Sequence, residues 1–388
     1  MLRRRRKPMK TLILSCNTGE GHNSCAKAIK EYFDSVGEPC HIKDGLEFIS
    51  PKASRFISWG HSFVYRRLPW LFKCGYGYSE RHPAVFYEDS GIYKFMTQGS
   101  DRLYEFIRDG HYDCVICPHV FTALMVTDML KKHPMPLSTC FVSTDYTCSP
   151  ITKESRLDYY FIPDSSLAAD FESGNIPEEK MVESGIPIRQ MFYIPCATEE
   201  AKMSVDVHPD RRHLLLMCGS MGCGPIKKLF LRLSRQMPDD WEISVICGSN
   251  KRLSKNLKSK YSTSKRIHIR EFVLDMGTMM DSAELYLTKP GGISVSEACT
   301  KGLPMVFIDA VAGCEEYNRI RFVRNGGAKT GADTDELIKI CLSLMEDDAR
   351  RKKMKESLKK AKQMNSSQII YEKMKELTES RHEQNFTD

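Results

Sequence analysis

No apolar run in this sequence approaches the roughly 18 residues needed to cross a bilayer. The best candidates, His213–Cys218 and Leu303–Ile308, are only strand-sized. Only TLILSC follows the opening MLRRRRKPMK before Asn17, too short for a signal-peptide core, so a cytoplasmic location is expected. One Cys-x-x-Cys is present, Cys114 and Cys117 in the strand-like YDCVICP. With no second pair to complete a tetrahedral set, no metal site is expected. Neither glycine-rich loop continues into Gly-Lys-Ser or Gly-Lys-Thr, which argues against a P-loop nucleotidase. Acidic residues are missing before Glu20 and again across Lys251–Arg270.

What is present is ordinary in bulk and uneven in detail. A 41% hydrophobic and 28% charged chain of 388 residues is globular, which excludes disordered and fibrous classes. Its length suggests two domains at about 150 residues each. The 15 cysteines are scattered singly beside apolar residues, as reduced thiols serving as small hydrophobes would be. The 57 Lys and Arg outnumber 50 Asp and Glu, giving a net charge of +7 gathered in three zones. The first is Arg3–Lys10. The second, Ser50–His82, mixes six Lys/Arg with Phe56, Trp59, Phe63, Tyr65, Trp70, Phe72, Tyr76 and Tyr78. Such a mixture suits an interfacial membrane segment, with a buried helix pair as the alternative. The third, Lys251–Arg270, holds eight Lys/Arg and reads either as a phosphate-facing patch or as a solvated face.

Short apolar runs alternate with amphipathic stretches along the chain. Thr11–Cys16, Cys40–Lys43, Cys114–Cys117, Leu137–Val142 and Leu157–Ile162 read as strands, with helices over Ser24–Val36 and Val120–Lys132 between them. After GIPIRQMFYIPC, the polar Ala197–Arg212 shows no period and reads as a linker. The alternation restarts at His213–Cys218 and continues through Ile243–Cys247, Ile267–Phe272, Leu285–Thr288 and Met305–Ile308; Thr334–Leu377 is helical. Strands separated by helix-length segments imply parallel βαβ units. The α/β expectation is two such domains facing a cleft, with ligands beyond the carboxyl ends of the strands.

Each half opens with a glycine-rich loop after its first strand. The first, NTGEGHNS, supplies Gly19 and Gly21 but lacks the third glycine of a dinucleotide fingerprint. It provides a tight turn, a helix N-terminus able to meet an anion, and the imidazole of His22. His22 reads as a general base, a polar contact or simply a cap. The second, GSMGCG over Gly219–Gly224, offers bare backbone N–H groups suited to a diphosphate. The third notable segment is TKPGGISVSEACTKGLPMV. There Pro290 ends a strand, Gly291 and Gly292 permit a bare turn, and Ser294 or Ser296 is expected to cap a helix whose first turn carries Glu297. A carboxylate so placed suits a ribose diol; the plainer reading is a helix-start Glu favoured by the dipole.

Together KPGGISVSEACTKGLP, the GEGH loop, GSMGCG and GIPIR resemble the processive diacylglycerol glucosyltransferases and monogalactosyldiacylglycerol synthases, relatives of the peptidoglycan N-acetylglucosaminyltransferase. The resemblance runs from Thr11 to Leu377 and implies a GT-B fold. Residues 1–196 would form an acceptor and membrane-docking domain, 197–212 a linker, and 213–364 a UDP-sugar domain, with 365–388 a closing helix packing back on the first. It implies that Gly219, Ser220, Met221 and Gly222, with Gly291, Gly292, Ile293 and Ser294, meet the phosphates, Lys289 belonging to the same donor set. Glu297 would meet the ribose, Phe272 and Val273 the uracil, and Glu315, Glu316 and Asn318 the hexose. The acceptor would lie near Gly19, Gly21, His22, Thr144 and Asp145, and Trp59, Arg66, Arg67, Trp70 and Phe72 would meet an anionic membrane.

The implied reaction is one inverting displacement that transfers hexose from UDP-glucose or UDP-galactose to diacylglycerol at the inner face of the membrane. His22 and Asp145 are both candidates for the base. No metal or other cofactor, and no nucleic acid, is expected. The chain departs from the family at one point, where the family's Pro-Gly-Gln-Glu reads Ala312-Gly313-Cys314-Glu315. A thiol is a poor hydrogen-bond partner in place of an amide. A polyprenyl or soluble acceptor, or a silent sugar-nucleotide or membrane binder, therefore stand as alternatives.

Overall fold

Apolar runs too short for helices become the strands of two parallel sheets. The structure is a computed structural model describing residues 8–17, 19–219, 222, 226–308, 313–361 and 364–384, with side chains except at 53, 61, 62, 65–67, 69, 72 and 73. In the first half, β1 (Thr11–Ser15), β2 (Cys40–Asp44), β3 (Cys114–Cys117), β4 (Ser138–Val142), β5 (Tyr159–Ile162) and β6 (Met181–Glu183) pair in the order β2-β1-β3-β4-β5-β6. All pairings are parallel, with Ile13 opposite Ile42 on one side and Ile116 on the other. TLILS and CVIC are buried throughout, as strands covered on both faces must be. Helices α1 (Glu20–Ser35), α2 (Pro51–Arg67), α3 (Pro69–Arg81), α4 (Gly91–Thr97), α5 (Ser100–Asp109), α6 (Val120–Lys132) and α7 (Ala168–Glu172) join them.

The second half repeats the plan. β7 (Arg212–Met217), β8 (Trp241–Ile246), β9 (Ile267–Arg270), β10 (Leu285–Thr288), β11 (Met305–Phe307) and β12 (Ala328–Thr330) pair in the order β12-β11-β10-β7-β8-β9, all parallel. Its helices are α8 (Thr198–Ser204), α9 (Ile226–Gln236), α10 (Lys251–Tyr261), α11 (Met276–Asp281), α12 (Gly292–Lys301), α13 (Cys314–Arg324), α14 (Thr334–Glu346) and α15 (Asp348–Lys360). A last helix, α16 (Ser366–Gln384), packs on α1 and β4. The chain thus forms two compact units, one of residues up to Arg189 plus those from Met364, the other Gln190–Gln363.

Ala197–Arg212, read from its polarity as a linker, is folded structure belonging to the second unit. Its α8 buries Ala201 and Lys202, and Val205 and Val207 follow them inward. The Lys202 ammonium is paired with Glu284 at 2.7 Å and donates to the Arg211 carbonyl at 2.7 Å. A lysine counted as polar in composition is here an interior residue, tolerated because both charge and protons are matched. The helical expectation over Thr334–Leu377 resolves into three helices. Asp347 is the break, ending α14 and capping α15 through the Arg350 N–H at 2.9 Å. Among the described residues ten cysteines are buried and all are free thiols, as their apolar neighbours suggested.

At the amino ends of β7 and β8 lies a buried histidine. His213 Nε2 meets the Ser244 hydroxyl at 2.8 Å and Nδ1 the Ser282 hydroxyl at 3.0 Å. Burial lowers its pKa from 6.5 to about 3, so the folded ring stays neutral through mild acid. The unfolded ring takes its proton near 6.5. Between those values the unfolded state binds more protons, and stability therefore falls as pH falls from about 6.5 towards 3. Denaturant unfolding at pH 7 and pH 4.5 should show this loss. His213→Asn should be less stable at pH 7 yet lose less on acidification.

Candidate active site

In an open parallel sheet a ligand crevice opens where successive crossovers leave one strand in opposite directions. In the first unit that point lies between β1, which leads to β2 on one side, and β3 on the other. Cys16–Gly19 links β1 to α1, and α1 begins at Glu20, before the expected Ser24, so Gly21 and His22 occupy its first turn. His22 is half-buried and spans the switch point, its Nδ1 lying 2.8 Å from the Pro118 carbonyl beyond β3. The Thr144 hydroxyl, beyond β4, is 3.1 Å from the same nitrogen. A carbonyl only accepts, so Nδ1 carries the proton and donates, and in the neutral ring Nε2 keeps the basic lone pair. Asp145, the other proposed base, is half-buried beside Thr144, and its carbonyl accepts from the Ser143 hydroxyl at 3.2 Å. The structure thus brings His22, Thr144 and Asp145 to one rim. Spacing gave no sign of Pro118 and His119, which lie far from His22 along the chain; their place directly after a strand was the one available signal.

In the second unit the switch point lies between β7 and β10. Gly219 and Gly222 follow β7 with left-handed φ of 67° and 55°. The Gly222 backbone leaves no room for a side chain, since a Cβ would stand 2.2 Å from the Cys247 carbonyl oxygen. Asn250, which sequence reasoning missed, donates from Nδ2 to the Gly222 carbonyl at 3.0 Å and caps α10 through Leu253 N–H at 3.0 Å. Ser220 and Met221 lie outside the described residues.

Beyond β10 the structure corrects the reading of KPGGISVSEA. Helix α12 begins at Gly292, not at a serine, and its N-cap is Gly291 without any side-chain cap. Ser296 instead donates to the Gly292 carbonyl at 2.8 Å, and the Ser294 hydroxyl meets that of Tyr286 at 2.9 Å. Glu297 therefore stands in the second turn, which removes the helix-start explanation for it. The first N–H groups of α12 point past a glycine around which no atom lies within 4 Å of a would-be Cβ. Burial pushes the Tyr286 hydroxyl well above its usual pKa, keeping the bond to Ser294 protonated. Lys289 is buried at the same strand end and Ile293 half-buried in the first turn.

Asn318 is fully buried, and its Nδ2 donates to the Pro290 carbonyl at 2.9 Å. It braces the turn. Glu315 and Glu316 stand in the first turn of α13, and Arg319 binds the Glu316 carboxylate with Nε at 2.8 Å and with Nη2. Cys314 opens that helix, half-buried, after Gly313 at φ 73°. Phe272 is 73% exposed beyond β9, with Val273 half-buried beside it.

The aromatic-basic zone forms α2 and α3, and among the described side chains Phe56, Trp59, Phe63, Trp70 and Tyr78 are exposed rather than buried between helices. Phe56, Trp59 and Phe63 recur at helical spacing on α2, and Trp59 stacks on Phe63 at 5.3 Å. Trp59 and Trp70 are each 63% exposed. The side chains of Arg66, Arg67 and Phe72 lie outside the described set. Among the described residues no helix is long and apolar enough to cross a membrane.

Two family models divide the chain between them. The monogalactosyldiacylglycerol (MGDG) synthase model matches residues 22–188, and the glycosyltransferase family 28 C-terminal domain model matches residues 213–374. The chain is a glycosyltransferase of the family 28 type, its first half matching the MGDG synthase model. A processive diacylglycerol beta-glucosyltransferase of Bacillus cereus is 26% identical over 361 residues, covering 90% of this chain and 89% of the relative. Its namesake from Bacillus anthracis is 25% identical with the same coverage. The crystal structure of MurG from Acinetobacter baumannii shares the fold with TM-score 0.59 and 12% identity, over 95% of this chain and 100% of that one. UDP-GlcNAc 2-epimerase from Neisseria meningitidis, solved with UDP-GlcNAc, aligns with TM-score 0.56 and 15% identity over 94% and 99%. The fold is GT-B, with two doubly wound units.

In this glycosyltransferase the two glycine positions carry different demands. Gly222→Ala meets both a left-handed φ and a carbonyl, at a cost of about 1–3 kcal/mol that should lower the melting temperature by several degrees. Gly291→Ala meets neither, with φ −72°, and should melt like the parent in a thermal scan.

Proposed function

We propose that this glycosyltransferase moves a hexose from UDP-glucose or UDP-galactose to diacylglycerol at the surface of an anionic membrane, with inversion at the anomeric carbon. The observation that carries the reading is His22, held as the Nδ1–H tautomer at a switch point of the unit that matches the MGDG synthase model. Nε2 takes the proton of the acceptor hydroxyl, whose oxygen attacks the anomeric carbon. The bond from that carbon to the diphosphate breaks as the new one forms, and UDP leaves with the electron pair. A single displacement inverts the centre. His22, rather than Asp145, is the base in this reading, because the Pro118 carbonyl, which can only accept, sets Nδ1 as the proton-bearing nitrogen.

The leaving diphosphate gains negative charge, and uncapped N–H groups at the start of α12 with the turn at Gly219 and Gly222 suit it. Glu297 then lies one turn further along for a ribose diol, and Glu315 for the hexose. The exposed aromatic stripe of α2, with Trp70 on α3, supports peripheral docking at the cytoplasmic face: amphipathic rings with nearby Lys52 and Arg55 suit the headgroup region. Cys314 motivates a second reading, a protein that binds the sugar nucleotide without transferring it.

UDP, UDP-glucose and UDP-galactose should be compared as stabilisers in thermal unfolding, since a ligand of the native state raises its midpoint. The stabilising sugar is then supplied with diacylglycerol vesicles. The expected result is a shift with UDP and one sugar, plus a glycolipid product. No shift with any nucleotide overturns the donor site; a shift without product on any lipid favours the second reading. His22→Ala should keep the UDP shift and lose transfer by about 10²-fold or more. Gly291→Ala should lose the shift. Trp59→Ala combined with Phe63→Ala should release the protein from vesicles in a sedimentation assay and leave the UDP shift intact.

A further inference from the structure

We infer that His119 is a positioning residue that holds the His22 imidazole in its working orientation. The inference rests on the reading of His22 as the base, although the geometry behind it exists whatever the reaction. His119 follows β3 directly and is buried. It is the N-cap of α6, its Nδ1 accepting from the Phe121 N–H at 3.1 Å. Ser, Thr, Asp or Asn normally does this with far fewer atoms. What an imidazole adds is a ring. That ring meets His22 edge-on at 4.4 Å between centroids and 67° between planes, and Phe121 backs it at 4.7 Å.

The preceding residue completes the grip, because Pro118 supplies the carbonyl that takes the His22 Nδ1 proton at 2.8 Å. Adjacent residues thus restrain His22 in two senses. The carbonyl decides which nitrogen carries the proton, and the ring decides the rotation of the imidazole plane, hence the direction of the Nε2 lone pair. The mount is rigid, since Thr122 on the same first turn donates to the Leu14 carbonyl of β1 at 2.8 Å. Because His119 Nδ1 accepts, its own neutral ring carries the proton on Nε2. General-base catalysis depends steeply on such alignment.

Two variants separate the ring from the cap. His119→Asn keeps a capping oxygen and loses the ring; His119→Phe keeps a ring and loses the cap. The expected result is that His119→Asn melts near the parent but loses about tenfold or more in kcat, with KM for the UDP-sugar unchanged. His119→Phe should melt lower and keep more of kcat than the asparagine variant. If kcat instead follows melting temperature across the pair, His119 is only a cap and the inference is overturned. A readout without turnover accompanies this, the 15N shifts of labelled histidine. His22 in the parent should show protonated Nδ1 and bare Nε2, and in His119→Asn a mixture of tautomers. An unchanged His22 spectrum overturns the positioning role. A parent that transfers no sugar, yet whose His22 spectrum responds to His119→Asn, overturns the functional reading and leaves the positioning role standing.

Discussion

Parallel strands cannot be joined by a tight turn, and that constraint shapes both units. Each strand must be followed by a crossover long enough to return the chain to the same end of the sheet, so all the loops that leave strands gather at one edge. Where the strand order reverses, between β1 and β3 and between β7 and β10, the loops leaving the two neighbouring strands are drawn apart and a crevice opens. The residues proposed for the reaction lie there twice. His22 stands at one switch point; Gly219, Gly291 and the bare start of α12 stand at the other.

The two edges are finished in opposite ways. At the first, side chains close the gap: His22 reaches the Pro118 carbonyl, Thr144 reaches His22, and Thr122 ties α6 to β1. His22, as the proposed base, needs such fixed direction. At the second, the backbone is left open around Gly291 while a shell behind it is braced. Asn318 holds the Pro290 carbonyl, Tyr286 holds Ser294, and Asn250 holds Gly222. Donors aimed at a charge that develops during reaction work best when they need not move, and bracing from behind achieves this without filling the front.

The central strands were legible because burial on both faces leaves them continuously apolar, and Val120–Lys132 is recovered to the residue as α6. The edge strands β6 and β12 were not. MVE and AKT are three residues each, partly exposed and without period, and only their pairing with β5 and β11 makes them strands. Helix starts also misled: one helix was expected to start at Ser24 and another to be capped by Ser294 or Ser296, while a glycine is the N-cap of both. Gly19 and Gly291 precede Glu20 and Gly292, so each helix starts earlier and carries its functional side chain at a different turn. The glycine loops were visible in sequence. Their partners Pro118 and Asn250 were not, since nothing local links a carbonyl beyond β3 to an imidazole on α1, and Asn318 was singled out for the hexose rather than as the brace of the Pro290 turn.

The first unit is incomplete until the far end of the chain arrives. Glu38 is buried where α1 hands over to β2, and the Met9 N–H alone, at 2.7 Å, would not neutralise its carboxylate. Helix α16 brings the cation. Lys375 Nζ reaches Glu38 at 2.9 Å, and with Tyr371 beside it the ammonium pKa rises to about 12. Further along the helix, Thr378 donates to the Ser138 hydroxyl at 2.9 Å and Arg381 pairs with Asp158 at 2.6 Å. A buried carboxylate without its partner costs several kcal/mol, a large share of a domain's stability. The sheet that mounts His22 therefore draws part of its stability from a helix that follows the whole second unit in the sequence, and the first unit reaches its final form only when the second has been made in between.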